Sequence, residues 1–184
     1  MALGAAGIAE AGLGQLMVYH FMLAPDWKEG CPSCSFWADN YNGVDVHLAH
    51  RDTALVAVSR APLAKIEAYK KERHWRLPWY SSFGTDFNYD FHVTNDPTVR
   101  PPEYNYRSKA ENEEHKSPNN LLGEEHGLSV FFAHDDDVFH TYSAYARGTE
   151  LFCDARTILD ATPYGRQQDF EDSPSGWPQK PTYG

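Results

Sequence analysis

Two cysteines separated by Pro32-Ser33 stand where a buried-strand pattern gives way to a helix pattern, and that junction constrains the fold most. Gln15 to Leu23 (QLMVYHFML) is a continuous apolar run rich in strand formers. A run without polar alternation fits a strand covered on both faces of a sheet. Ala24 to Gly30 reads as a loop punctuated by Pro25 and Gly30. Pro32 suits a first helical turn, because the N–H it lacks would be unpaired there anyway. Downstream, Phe36, Trp37, Asn40, Tyr41 and Val44 recur at spacings of three and four, the helical period, until Gly43 ends or restarts the helix.

The rest of the chain extends this pattern. Thr53 to Ser59 (TALVAVS) is a second buried strand, and Pro62 opens a helix on which Leu63, Ile66 and Tyr69 share one face. Gly127 to Ala133 and Val138 to Tyr142 read as an antiparallel hairpin turned by Asp135-Asp136-Asp137, and a last helix is expected from about Glu150 to Leu159. The order strand, helix, strand, helix, hairpin, helix is α/β. Its first strand pair is parallel with a right-handed crossover, which is the layout of a thioredoxin-like domain. Residues 1–14 are expected as a flexible leader, 15–160 as the domain, and 161–184 as an extended tail. The 95–126 segment is expected as a long irregular insert, since loops beyond roughly 12–15 residues tend to be functional or disordered.

With 184 residues the chain is about one domain. A formal net charge of −10 disfavours nucleic acid and anionic lipid as partners. The one basic concentration, Lys65 to Arg76, reads as the solvated face of a helix. No segment reaches the ~20 apolar residues needed to cross a bilayer, and Met1 to Gln15 lacks the basic start and leucine-rich run of a secretory signal. Three cysteines, two of them close together, do not make a secreted disulfide framework. The expected compartment is the cytoplasm.

In this context C-x-x-C reads as a redox motif. A thiolate at a helix N-terminus is stabilised by free backbone N–H groups and the positive end of the dipole, which brings a thiol pKa into roughly 3.5–7.5. Cys31 is therefore the expected nucleophile and Cys34, one turn further in, the resolving thiol. Pro32 and Ser33 tune the pair, and Asp26 and Trp27 shape its rim. Two other readings stay open. The pair is half of a metal site completed through folding by histidines such as His20, His126 or His140, although a second C-x-x-C or H-x₃₋₅-H is missing. Alternatively, the cysteines are inert packing residues in a binding or self-association scaffold.

Other residues carry two readings each. Arg60 ends the second strand, where α/β folds place ligand contacts; it either lowers a thiol pKa or forms a surface salt bridge. His126 either approaches Cys31 or is a solvated loop histidine. Trp79 to Phe91 (WYSSFGTDFNYDF) is a core-covering loop, a pocket beside the dithiol with Ser81, Ser82, Asp86 and Asn88 as polar contacts, or a homodimer surface. Cys153 is most simply a small buried hydrophobe in the last helix. The acidic triplet 135–137 is a solvated turn or a weak cation site.

The runs YHFMLAPDWKEGCPSCSFWADN, HLAHRDTALVAVSRAPLAKIEAYKK, PWYSSFGTDFNYDFHV and GLSVFFAHDDDVFHTYSAYARG resemble the thioredoxin-like DUF899 family over about Gln15 to Gly184. The resemblance implies a predicted dithiol–disulfide oxidoreductase with Cys31 and Cys34 as its catalytic pair. No bound cofactor is expected, and the expected partner is a protein or small-molecule thiol or disulfide. The resemblance also implies a substantial segment before the first strand, where this sequence has a leader of small residues. Thioredoxins proper place a cis-proline before the third strand, facing the dithiol. The matching position, His126-Gly127-Leu128, has no proline. The arrangement is closer to a peroxiredoxin-like variant, a central mixed β-sheet flanked by helices, with a small oxidant or thiol as alternative substrate.

Overall fold

The computed structural model describes residues 13–115, 122–167 and 176, so the expectations for the leader and for most of the tail fall outside the described residues. The first apolar run forms β1 (Gln15–His20) and stays buried through Phe21, Leu23 and Ala24 after the strand ends. Then come α1 (Pro32–Tyr41), a short α2 (Asp45–Ala49), β2 (Thr53–Ser59), α3 (Leu63–Glu72), β3 (Trp79–Ser81) and α4 (Phe87–Asp90). The insert holds only short elements among its described residues: β4 (Thr94–Asn95), β5 (Glu103–Tyr104), β6 (Arg107–Ser108), α5 (Lys109–Glu114) and β7 (Gly123–Glu124). The hairpin β8 (Gly127–His134) and β9 (Asp137–Tyr145) leads into a 3₁₀ turn, Ala146–Phe152, and α6 (Asp154–Asp160).

One five-stranded mixed sheet, ordered β3-β2-β1-β8-β9, organises the chain. β1 lies parallel to β2, from Gln15 opposite Thr53 to His20 opposite Val58, and antiparallel to β8, with His20 opposite Gly127. Alternation along β1 then separates two layers. Tyr19 and Phe21 pack with α1 and α3 around Cys34, Trp37, Ile66, Tyr69 and Trp79. Leu16 and Val18 pack with Val56, Val58, Phe87 and Phe131 on the other face. Burial on both faces explains why neither β1 nor β2 shows polar alternation.

Three local expectations differ from the structure. Leu63, the first residue of α3 after the N-cap position Pro62, is exposed, while Ile66 and Tyr69 are buried. The last helix is interrupted: Cys153 takes extended backbone (φ −126, ψ 100) between the 3₁₀ turn and α6, which lets its side chain enter the core layer of α1. At the hairpin tip Asp137 already belongs to β9, opposite His134, and Asp135 makes the turn with a φ of 53. An aspartate tolerates that left-handed conformation better than most residues.

Candidate functional site

Cys31 is fixed from three sides before any chemistry is considered. Its N–H donates to the Met22 carbonyl (3.1 Å), tying it to the chain leaving β1. Lys65 of α3 donates through Nζ to the carbonyls of Pro25 (2.5 Å) and Trp27 (2.7 Å), holding the loop between them. Gly30 sits where a Cβ would come within 2.6 Å of Phe21 and 2.8 Å of Tyr69, so this close approach of loop to core requires glycine. On the helix side, Ser35 Oγ donates to the Cys31 carbonyl (3.1 Å) and shares a hydrogen bond with the Tyr69 hydroxyl (3.1 Å).

Cys31 is the N-cap of α1 (φ −56, ψ 129), with Pro32 in the first turn and no side-chain oxygen capping the helix. The first N–H groups of a helix have no intrahelical partner, so those of Ser33 and Cys34 are left for the Cys31 sulfur. Its pKa falls from the usual 9.0 to about 6. The hydrogen bond from the Cys34 thiol contributes most to the fall, burial opposes it, and the two backbone N–H groups and the Ser33 hydroxyl add to it. Cys34, 1% exposed, moves the opposite way, pushed up by burial and by the neighbouring Cys31. All three cysteines are free thiols. The pair is thus one partly exposed, acidic thiol beside one buried, weakly acidic thiol.

Beneath the pair lies Tyr19 of β1. Its hydroxyl is buried without a hydrogen-bond partner of ordinary geometry, and the group that couples to it is the Cys34 thiol, alongside burial in raising its pKa. A thiol is a weak donor and a weak acceptor, which accounts for both observations. Cys153 belongs to the same core layer, and burial raises its pKa.

The remaining predicted residues distribute as follows. Pro32 and Ser33 are exposed at the helix start, and Trp27 packs against the core layer beside Cys31. Arg60 does not touch the dithiol. It donates to the buried Glu124 carboxylate (2.8 Å from Nε, 2.7 Å from Nη2) and to the Tyr89 hydroxyl (3.1 Å). Glu124 also accepts from Asn88 (3.1 Å) and Thr94 (2.9 Å), and Ser82 donates to Asn88 (2.6 Å). Arg60 and Ser82 therefore belong to a polar network that fastens β7 to the sheet. It is a salt bridge from a half-buried arginine to a buried carboxylate, where a surface salt bridge or a ligand contact was expected.

His126 is not a solvated loop residue. Its ring lies 5.6 Å from Trp37 and hydrogen-bonds the Thr149 hydroxyl (3.1 Å), and burial lowers its pKa to about 4. The aromatic stretch divides instead of forming a pocket: Trp79 joins Phe21 at 4.5 Å in one layer, and Phe87 and Phe91 stack near His20 in the other. His20 is buried against Ser129 (2.9 Å) on the face away from the dithiol, so it cannot complete a metal site with it. Among the described residues no group of three His, Cys, Asp or Glu is arranged to hold a metal ion, and no helix is long and apolar enough to cross a membrane.

Residues 8–183 match the family described as bacterial protein of unknown function, DUF899. The chain belongs to this DUF899 family. No curated protein matches it. Among solved structures, the DUF899 chain is similar to the peroxidoxin BcpB of Mycobacterium tuberculosis, with a TM-score of 0.54 and 13% identity over 80% of this chain and 79% of that one. It is similar as well to the bacterioferritin comigratory protein of Xanthomonas campestris, described for alkyl peroxide reduction, at a TM-score of 0.50 and 12% identity, covering 80% and 79%. These likenesses establish the thioredoxin-type, peroxiredoxin-like fold of the DUF899 chain.

Tyr19, Gly30, Ser35, Lys65 and Tyr69 shape this site and were not assigned to it from the sequence. Tyr19 carried a usable signal, since alternation along β1 puts it on the face of Phe21 and Leu23. Lys65 carried none, because its partners are backbone carbonyls 40 and 38 positions away.

Proposed function

We propose that this protein is a thiol–disulfide oxidoreductase working through Cys31 and Cys34 without a resident cofactor. The observation that carries the reading is the split of the pair into a partly exposed thiol with a pKa of about 6 and a buried thiol raised above the usual range. At neutral pH Cys31 is mostly thiolate, the reactive form. It attacks one sulfur of a substrate disulfide, forming a mixed disulfide and expelling the other sulfur as a thiolate that takes up a proton. Cys34 then loses its proton, attacks the Cys31 sulfur and releases the second substrate thiol. The substrate disulfide gains two electrons, and the protein is left with a Cys31–Cys34 disulfide that an external thiol reduces. Trp27, Pro32 and Ser33 form the rim that a substrate meets. The compartment assigned is the cytoplasm.

A hydroperoxide is the second candidate oxidant. It is favoured by the residues His126-Gly127-Leu128 at the position where thioredoxins carry a proline against an extended peptide, and by the likeness to the bacterioferritin comigratory protein described for alkyl peroxide reduction. Cys31 would then take one peroxide oxygen as sulfenic acid with release of alcohol or water, and Cys34 would condense with it, releasing water.

The test is a redox titration in defined thiol–disulfide buffers, followed by alkylation and a mass count of labels on each cysteine. Paired, reversible oxidation of Cys31 and Cys34 supports the reading, with Cys34→Ser accumulating mixed disulfides and Cys31→Ser losing activity. A pair that never cycles overturns it and leaves a binding or self-associating scaffold. Consumption of hydroperoxide faster than of disulfide selects the second oxidant.

A further inference from the structure

A concavity of about 230 Å³ opens where the insert folds back on the sheet, walled by Arg100, Glu103, Tyr106, Glu125, His126 and Tyr145. Arg100 is its most informative residue. The guanidinium Nε is buried without a hydrogen-bond partner, and none of its nitrogens forms an ion pair among the described residues. An unpaired buried donor of a charged group is costly, and a carboxylate satisfies it bidentately. Glu103 and Glu125 stand on the same wall, Glu125 buried and accepting from Asn95 (3.4 Å), Glu103 exposed, so the cavity offers a guanidinium and a solvent-facing carboxylate to a ligand that carries both charges.

The wall is built and held in place. Asn105 and Tyr106 turn the β5–β6 hairpin with φ values of 51 and 62. That turn favours glycine at its second central position, and here a tyrosine occupies it. The Tyr106 hydroxyl accepts the Tyr145 N–H (2.8 Å) and lies over Gly148, where a Cβ would collide with it. Strain of this kind persists only where surrounding contacts impose it.

The cavity and the dithiol share one end of the sheet. Pairing of β1 with β8 ends at His20 opposite Gly127, so His126 follows beside Phe21, and the next residue, Met22, carries the carbonyl that takes the Cys31 N–H. The volume lies below the roughly 300–1,000 Å³ typical of drug-sized ligand sites, which suits an amino-acid head group with the rest of the ligand outside.

We infer that this cavity binds the α-amino-acid end of a small thiol or disulfide, with Arg100 taking the carboxylate and Glu103 the ammonium, and so selects the substrate of the dithiol. The inference rests on the oxidoreductase reading for its catalytic consequence and on the cavity alone for binding. The reaction is the exchange written above: the small disulfide gains two electrons and leaves as two thiols, and the protein dithiol becomes a disulfide.

The experiment compares reduction of glutathione disulfide, which carries amino-acid ends, with bis(2-hydroxyethyl) disulfide, which carries none, and measures calorimetric binding of glutathione disulfide to Cys31→Ser protein. In Arg100→Gln the ratio of the two kcat/KM values falls at least tenfold, equivalent to about 1.4 kcal/mol. Arg100→Lys restores part of it, Glu103→Gln lowers it as well, and binding to Cys31→Ser disappears when Arg100→Gln is added. Arginine-dependent binding without turnover by the wild type would sustain the cavity and sink the oxidoreductase reading. Turnover with a ratio unmoved by both substitutions, or no binding to Cys31→Ser, overturns the cavity assignment.

Discussion

The Cys34 thiol, not the helix alone, is what makes Cys31 acidic, and replacing it tests that ordering. Its hydrogen bond is the largest contribution to the fall of the Cys31 pKa to about 6, ahead of the two backbone N–H groups. A hydrogen bond to a charged group is worth about 1.5–3 kcal/mol, and one pKa unit corresponds to about 1.4 kcal/mol. Cys34→Ala should therefore raise the Cys31 pKa to about 7–8, while Cys34→Ser, which keeps an O–H donor, should hold it nearer 6. At pH 7 the thiolate fraction in Cys34→Ala drops from about nine-tenths to between about a half and a tenth. The assay is the rate of iodoacetamide alkylation of Cys31 against pH, located by peptide mass so that buried Cys153 does not contribute. A Cys34→Ala protein whose Cys31 still titrates near 6 would refute the ordering and assign the shift to the helix N-terminus.

Three further predictions follow from the same contacts. Because the folded pKa of Cys31 lies below its unfolded value, reduced protein should gain stability as pH rises from about 6 to 9.0 and lose it as pH falls back through about 6. The gain is at most about 1.4 kcal/mol per pH unit, less for a partly exposed sulfur, and denaturant midpoints of the oxidised form should lack it. Gly30→Ala forces a Cβ against Phe21 and Tyr69 and should cost about 1–3 kcal/mol in urea unfolding; unchanged stability would mean that the loop relaxes freely. Glu124→Ala strips the partner from Arg60, which is 26% exposed beside a carboxylate that is 1% exposed. A loss of about 3 kcal/mol is expected, and rescue by adding Arg60→Met distinguishes a stranded charge from lost packing.

The sequence by itself determined the parts of this protein whose causes are local. The unbroken apolar runs of β1 and β2, Pro32 in the first turn of α1, the three-residue spacing of the cysteines and the hairpin all follow from period, turn chemistry and helix termini. They locate the dithiol and its sheet. The edge strand β3 was not legible, since three residues in an aromatic stretch carry no measurable period. Nor was the break at Cys153, where core packing under α1 overrides helical continuation. Tertiary structure alone decided the surroundings of the site. It set Tyr19 against Cys34, spent Arg60 on Glu124 across 64 positions, and laid His126 on Trp37. It also left the Nε of Arg100 buried in a cavity wall without a hydrogen-bond partner among the described residues. Which of several available partners a charged or aromatic side chain meets depends on chain closure over long separations, and a linear pattern does not encode that choice.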